Sequence, residues 1–529
     1  MPTEVFLIGA ALAVAVLLGR LLAGRIGVPD AAAYVLIGVA AGLVPGLPRV
    51  QVAPDVVLLA FLPPLVYYAA FFSDPRETME HIGAVVGQSV GLVLATAFAA
   101  AWTLLLIFPD IGWAAALAFA AAIAPPDPVA ASTVLQRLGV PGRLVTVLEG
   151  EGLINDAVAL TLFAIAVANL GASPSVPEVL VRIVVQVAGG ILFGLLVGIA
   201  VARLRERTRD PLSQAVWSLI TPFLAFVPAH LVHASGVLAT VTAAVWLGTR
   251  GRGLVAPTAR LQTETFWRVL NLLLVAFLFV LLGFQVPGIV AVVADYPVGT
   301  LLLASASLVA VVVVVRMAWA LLVPAVVKRL QVGGDEISAL SRQERLVLGW
   351  CGPRGAVSLA VALSLPLNMP DGAPFVRRDL LLFLTVVVVL ATLVGQVLPL
   401  PALLRRLRLS PSEKERTEGL RARRAMVDAA LREVEDLAAQ ENQEDQEPEG
   451  LEAMRQVLEL RRDRLHRQLE SESSDGHAGP DERDLQLRIL AAERKALRDL
   501  ARRGDIGRRT QIAISQELDL DETRLRRAR

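Results

Sequence analysis

The amino-acid sequence predicts an all-α polytopic membrane protein: about 13 transmembrane helices, some of them broken, then a C-terminal helical cytoplasmic tail. Three observations predict it. First, the 529 residues carry 50 Lys+Arg and 49 Asp+Glu, but 27 of the basic and 28 of the acidic residues fall in 405–529. The first 404 residues keep 23 and 21, about half the usual soluble share of charge and too few to cover a water-facing surface. Second, those 404 residues are mostly apolar runs of roughly 20 residues, the length that crosses a bilayer as a helix. Third, the basic residues between the runs are distributed asymmetrically. The chain therefore divides into a membrane domain, 1–404, and a helical tail, 405–529.

In order, the spans are expected near 5–24, 31–46, 55–72, 82–108, 113–138, 144–170, 179–202, 211–228, 229–248, 264–286, 297–324, 344–366 and 379–404. Residues 5–23 lack a preceding basic region and a small-residue cleavage site, so they read as a first membrane helix and not a signal peptide. The second span is short and flanked by proline. The eighth and ninth are separated only by Pro228, His230 and His233. With the tail in the cytoplasm, thirteen spans put the N-terminus outside. The inside loops then hold Arg20, Arg25, Arg76, Arg137, Arg143, Arg203, Arg205, Arg207, Arg209, Arg250, Arg252, Arg260, Lys328, Arg329, Arg342 and Arg345. The outside loops hold only Arg49, Arg182, Arg377 and Arg378, the asymmetry that sets orientation in a plasma (inner) membrane. Arg268, Arg316 and Arg354 remain inside or at the edges of spans. The lone Cys351 excludes an intrachain disulfide framework, the net charge of +1 gives no pull toward nucleic acid, and no cofactor is expected.

Ionisable groups at bilayer depth are costly and mark function by default. The acids well inside spans are Asp127, Glu149, Glu151 and Asp156, all within 30 residues on two consecutive spans. Asp127 lies in Ala124-Pro125-Pro126-Asp127-Pro128, and proline lacks the N–H and clashes with the preceding turn, so the span 113–138 must be discontinuous. Freed carbonyls and half-helix ends there can face a cation, as in midplane transporter sites. In Glu149-Gly150-Glu151-Gly152-Leu153-Ile154-Asn155-Asp156, Glu151 and Asn155 share a helix face, whereas Asp156 lies about 140° round from Glu151 and serves a different partner. A carboxylate beside an amide offers one titratable and one neutral ligand, suited to a proton and a hard cation competing for the same oxygens. Glu149 reads equally well as an acid near a helix start, favoured by the macrodipole. Gly352-Pro353-Arg354-Gly355 interrupts another span, and an arginine there calls for a buried carboxylate, with Glu151 or Glu149 the nearest candidates.

Asp127-Pro128-Val129-Ala130, Glu151-Gly152-Leu153-Ile154-Asn155-Asp156-Ala157 and Gly352-Pro353-Arg354-Gly355-Ala356-Val357-Ser358-Leu359-Ala360 resemble, in order, three signatures of the monovalent cation/proton antiporter family, which includes NhaP-type bacterial antiporters and animal sodium/proton exchangers. Phe61-Leu62-Pro63-Pro64-Leu65 resembles the family's third span. The resemblance covers most of 5–404. It implies two six-helix inverted repeats, a homodimer, and a core domain that moves like an elevator against a dimer domain. It implies further that Asp156 binds the cation, Na+ or else K+ or Li+, in exchange for H+, with Asn155 marking the electroneutral one-for-one form. Asp127 would support the cation site, and Glu151 would pair with Arg354 as a structural ion pair. Pro126 and Gly152 stand where the family often has Thr and Ser, and Tyr68 stands where a further acid is common.

Two other classes fit less well. An intramembrane aspartyl protease would resemble a Tyr-Asp plus Gly-x-Gly-Asp pattern, and neither occurs around Asp127 or Asp156. A channel needs a continuous pore, whereas proline-broken helices with few ligands suit an occluded site. In the tail, 420–437, 451–470 and 484–503 show apolar residues at helical spacing, 441–450 and 471–480 are polar linkers, and a short helix is expected at 510–518. The blandest reading of the tail is a hairpin packed on itself or on a second subunit. His230 and His233 read as packed or interface histidines.

Overall fold

In a bilayer every backbone N–H and C=O must find its partner within the protein, so apolar runs of this length close their hydrogen bonds as helices. The computed structural model describes residues 2–26, 28–45, 53–72, 82–127, 131–132, 134–135, 140, 142–171, 176–208, 210–250, 257–330, 340–369, 372–375, 377–407, 413–441, 449–472, 491–493 and 495–497. Among these the regular structure is helical, apart from one isolated bridge between Asn368 and Pro374. The chain divides into two compact units, Met1–Ser412 and Glu413–Arg529.

The first unit contains α1 (Pro2–Ile26), α2 (Asp30–Gly42), α3 (Pro54–Phe72), α4 (Ile82–Ile107), α5 (Trp113–Ile123), α6 (Gly142–Ala168), α7 (Val176–Arg207), α8 (Pro211–Leu231), α9 (Gly236–Arg250), α10 (Pro257–Val293), α11 (Val298–Leu330), α12 (Arg342–Trp350), α13 (Ala356–Leu363), α14 (Arg378–Val397) and α15 (Leu400–Leu407). Among the described residues eight helices are long and apolar enough to cross a membrane, and α2, α5 and residues 236–249 of α9 are shorter apolar helices. Within α3 a π turn, Val57–Phe61, precedes Leu62-Pro63-Pro64, where the prolines supply no N–H to the carbonyls of the preceding turn.

Two expected boundaries shift. Pro228 does not end a span: α8 carries both Pro222 and Pro228 and runs on to Leu231. The turn to α9 is made instead at His233, whose φ of 58° is left-handed. His230 and His233 are both exposed and His230 stacks on Phe226 at 5.8 Å, so neither is packed in the interior, and of the two expected readings the interface one is left. α8 starts on Asp210, whose carboxylate accepts from the Ser213 backbone N–H and hydroxyl, holding its carboxyl below the usual carboxylate range.

Helices without a hydrophobic drive between them associate through small residues. Gly38 of α2 and Gly283 of α10 meet backbone to backbone: a Cβ on Gly38 would fall 2.9 Å from the Gly283 Cα. Gly190, Gly194 and Gly198, one turn apart on α7, give α9 the same close approach, with Leu238, Thr242 and Trp246 seated over them.

The second unit holds α16 (Glu413–Glu441) and α17 (Glu449–Glu472). They pack through Leu420, Val427 and Leu431 against Leu458. The expected helix at 484–503 is described only at 491–493 and 495–497, and that at 510–518 lies outside the described residues.

Candidate functional site

α5 stops at Ile123 because Pro125, Pro126 and Pro128 cannot extend it, which leaves the carbonyls of its last turn without helical partners. α12 stops at Trp350, and Cys351-Gly352-Pro353-Arg354-Gly355 forms no regular secondary structure before α13 begins. The two interruptions meet. The Asp127 N–H donates to the Pro353 carbonyl at 2.6 Å. The Asp127 carboxylate lies on the Cα of Gly355, where any Cβ would overlap it. Gly355→Ala is therefore expected to displace Asp127 and to cut any transport that uses this carboxylate at least roughly tenfold, since ångström-scale misplacement of a functional group costs up to about a hundredfold. Normal transport by a folded Gly355→Ala protein in proteoliposomes would show that this packing is dispensable.

Arg354 is 1% exposed and takes up the free end of α5. Its Nε donates to the Ile123 carbonyl at 2.8 Å, its Nη2 to the Ala124 carbonyl at 3.0 Å, and its Nη1 to its neighbour Gly352. Its backbone N–H donates to the Thr392 hydroxyl on α14 at 3.1 Å. A helix C-terminus carries roughly half a negative charge, so these carbonyls give the guanidinium both hydrogen bonds and charge compensation.

The expected ion pair of Glu151 with Arg354 is accordingly corrected: Glu151 is held by Arg316 of α11. The contact is bidentate, with Nη1 to Oε1 at 2.9 Å and Nη2 to Oε2 at 3.3 Å. The side chains are 3% (Arg316) and 15% (Glu151) exposed. The physical reason is the broken helix, which offers Arg354 a partner of its own and leaves the carboxylate to the second arginine. Gly352 separates the two guanidinium groups, and a Cβ there would fall 2.8 Å from Arg316 Nε and 3.2 Å from Arg354 Nη1. Arg268 is ordinary, paired with Glu264 one turn away on α10 at 2.7 Å.

On α6 the fully buried Asn155 points its amide Nδ2 at Glu151 Oε1, 3.4 Å away, and its Oδ1 has no hydrogen-bond partner among the described residues. Asp156, the next residue, lies about 100° further round the helix. Its carboxyl stands close enough to that of Asp127 for the two to repel. Glu149 lies seven residues inside α6, so it is not in the first turn where a macrodipole would favour it. It accepts a hydrogen bond from Ser132, a residue of the chain beyond the proline break. Two further arginines, expected only as outside-loop charges, also have structural duties. Arg378 covers the end of α13 through the Leu363 and Leu365 carbonyls, at 3.1 and 3.0 Å. Arg377 ties Asp110 to the Tyr296 hydroxyl.

Helices long and apolar enough to cross a membrane, a proline-broken helix, and embedded carboxylates at the break define a multi-pass membrane transporter. The family model described as "Sodium/hydrogen exchanger, transmembrane" matches residues 12–406, and the chain belongs to that family of cation/proton antiporters, which are transporters and not enzymes. It is 37% identical over 435 residues to an uncharacterised Na+/H+ exchanger of Mycobacterium tuberculosis, covering 80% of this chain and 78% of that one. It is 30% identical over 379 residues to the Na+/H+ antiporter NhaP of Pseudomonas aeruginosa, covering 69% and 84%. The solved sodium proton antiporter MjNhaP1 of Methanocaldococcus jannaschii superposes with a TM-score of 0.59 at 19% identity, over 76% of this chain and 99% of that one, a likeness of fold.

Proposed function

We propose that the chain exchanges Na+ for H+ by competition at Asp156. The carboxyl holds either a proton or a cation and never both, so the two fluxes are coupled without a separate gate. Asp127 supports the cation from the broken helix, and Asn155 contributes a neutral amide beside it. One observation carries this reading: Arg316 and Arg354, the two buried arginines beside the helix breaks, are engaged by Glu151 and by the α5 carbonyls. Neither guanidinium is thus turned to Asp156, whose carboxyl is near enough to Asp127 to feel its charge. Two close carboxylates resist joint ionisation and welcome either a proton or a small cation.

Because the other member of the Asn155–Asp156 pair is neutral, one proton leaves for each cation bound, and exchange is electroneutral. In this reading a core carrying the broken helices moves like an elevator against a dimer-forming domain in a homodimer. The chain sits in the cell membrane with its N-terminus outside and its tail in the cytoplasm, a reading supported by the uneven spread of basic residues over the loops.

The test is exchange in proteoliposomes with Na+, K+ and Li+ across a pH series. Competition predicts that the apparent KM for the cation rises about tenfold per pH unit on the acid side of the carboxyl's titration, at constant maximal rate. A maximal rate that falls with pH at constant KM would refute competition. The ion with the lowest KM names the substrate; Pro126 and Gly152, which supply no hydroxyl ligands, leave room for K+ as the alternative to Na+.

A further inference from the structure

Glu149 and Ser132 are not used by the exchange step, yet they are joined across the same two elements that carry it. On α6, Glu149 precedes Asp156 by seven residues, two helical turns less about 20°, so both carboxylates lie on one face, roughly 10 Å apart along the axis. On the broken span Ser132 follows Asp127 by five residues. The same two segments are linked twice: Asp127 and Asp156 are near enough to interact electrostatically, and Ser132 donates to Glu149. Beyond the second link the segments close on an apolar cluster of Leu135, Val140, Leu144 and Leu148 with Val347 and Leu404. Ser132 is 5% exposed, and Glu149 is half-buried, between that apolar cluster and the inner carboxylates.

A carboxylate in such a place costs desolvation and contributes nothing to the core packing around it, so its retention needs a reason. A serine hydroxyl and a carboxylate are hard oxygen donors of the kind monovalent and other hard cations take. The absence of hydroxyls at Pro126 and Gly152 puts no such oxygen beside the inner link from those two positions, whereas Ser132 supplies one at the outer link.

We propose that Glu149 and Ser132 form an outer cation station, which a Na+ or K+ ion occupies on its way between the Arg143 end of α6 and Asp156. The station holds the cation through the Glu149 carboxylate and the Ser132 hydroxyl and raises its local concentration next to the exchange carboxyl. Glu149 is in this sense a positioning residue that acts on capture and not on the exchange itself. The proposal rests on Asp156 being the exchange carboxyl, and the two fail separately. If Asp156 is wrongly assigned, an Asp156 variant still exchanges; if the station is wrongly assigned, Glu149 variants bind the cation as the wild type does.

The experiment compares wild type, Glu149→Gln, Glu149→Asp and Ser132→Ala, purified as full chains and reconstituted in proteoliposomes, with Na+ and K+ titrated at fixed pH. Loss of a binding interaction used equally before and during exchange raises KM at constant maximal rate, so Glu149→Gln is expected to raise the apparent KM for the cation about tenfold with the maximal rate kept. Ser132→Ala should raise it by a smaller factor, and Glu149→Asp should restore most of the affinity. An unchanged KM in both Glu149→Gln and Ser132→Ala overturns the station, and so does a lowered maximal rate at constant KM, the mark of a purely structural pair. Should Glu149→Gln fail to fold, Ser132→Ala decides alone, because loss of one hydroxyl leaves the charge pattern of the span intact.

Discussion

Asp156→Asn is expected to abolish cation/proton exchange while leaving a folded protein. Asparagine has the shape of aspartate but cannot titrate or carry the charge that binds a cation, so both competing reactions disappear together. The loss should be essentially complete, at least roughly a hundredfold, since an amide cannot take over the proton-transfer role of a carboxyl. The fold should survive because, among the described residues, Asp156 makes no hydrogen bond or ion pair, and the charge that acts on it is the repelling Asp127. Removing one of two interacting carboxylates relieves repulsion, so the thermal midpoint in detergent should stay level or rise. The measurement is a pH-sensitive dye in inverted membrane vesicles, with Na+, K+ and Li+ added in turn, beside a melting curve of the purified variant. A cation-dependent dye response in Asp156→Asn would remove the basis of the exchange mechanism. Asp127→Asn provides the contrast: if Asp127 only supports the cation, that variant should keep proton-coupled exchange at a raised KM.

Much of this arrangement is legible in the sequence. Three prolines around Asp127 force a break whatever the rest of the chain does, and Gly352-Pro353-Arg354-Gly355 announces a second. Helical spacing correctly puts Asn155 beside Glu151. What sequence spacing could not settle was which arginine belongs to Glu151. Three embedded arginines competed for the embedded acids, and a pairing argued by charge alone assumes that an arginine needs a carboxylate. The missing partner was the backbone: a helix that ends inside the membrane exposes carbonyls, and those of Ile123 and Ala124 satisfy Arg354. A usable signal was present, because the break that places Asp127 also creates an uncapped C-terminus that must be covered. Arg316 sits in the middle of an uninterrupted apolar helix, where no free backbone exists, and so it had the stronger claim on the carboxylate. The Ser132 link to Glu149 was hidden for a different reason. It joins residues on two sides of a break, and helical periodicity carries no phase across an interruption. Boundaries at proline were misjudged where the helix tolerates it, as at Pro228 in α8, because the preceding turn finds other partners.

The pairing itself makes the second large prediction. Glu151 and Arg316 are both largely buried and make two hydrogen bonds to each other, so removing either partner leaves a charge in an apolar surrounding. Breaking a buried pair from one side costs about 3–5 kcal/mol, whereas replacing both partners with neutral groups is often close to neutral. Arg316→Gln and Glu151→Gln should therefore each lower the yield of folded protein and its thermal midpoint steeply. The double variant Glu151→Gln with Arg316→Gln should recover most of that loss, giving a large favourable coupling in a double-mutant cycle. The same cycle run with Arg354→Gln should show far less recovery, because Arg354 is held by carbonyls that a glutamine cannot compensate and Glu151 is not its hydrogen-bond partner. If Glu151→Gln were instead rescued by Arg354→Gln and not by Arg316→Gln, the carboxylate would belong to the interrupted helix after all. Exchange by the recovered double variant would carry further meaning. A pair that serves geometry alone should return active protein along with folded protein.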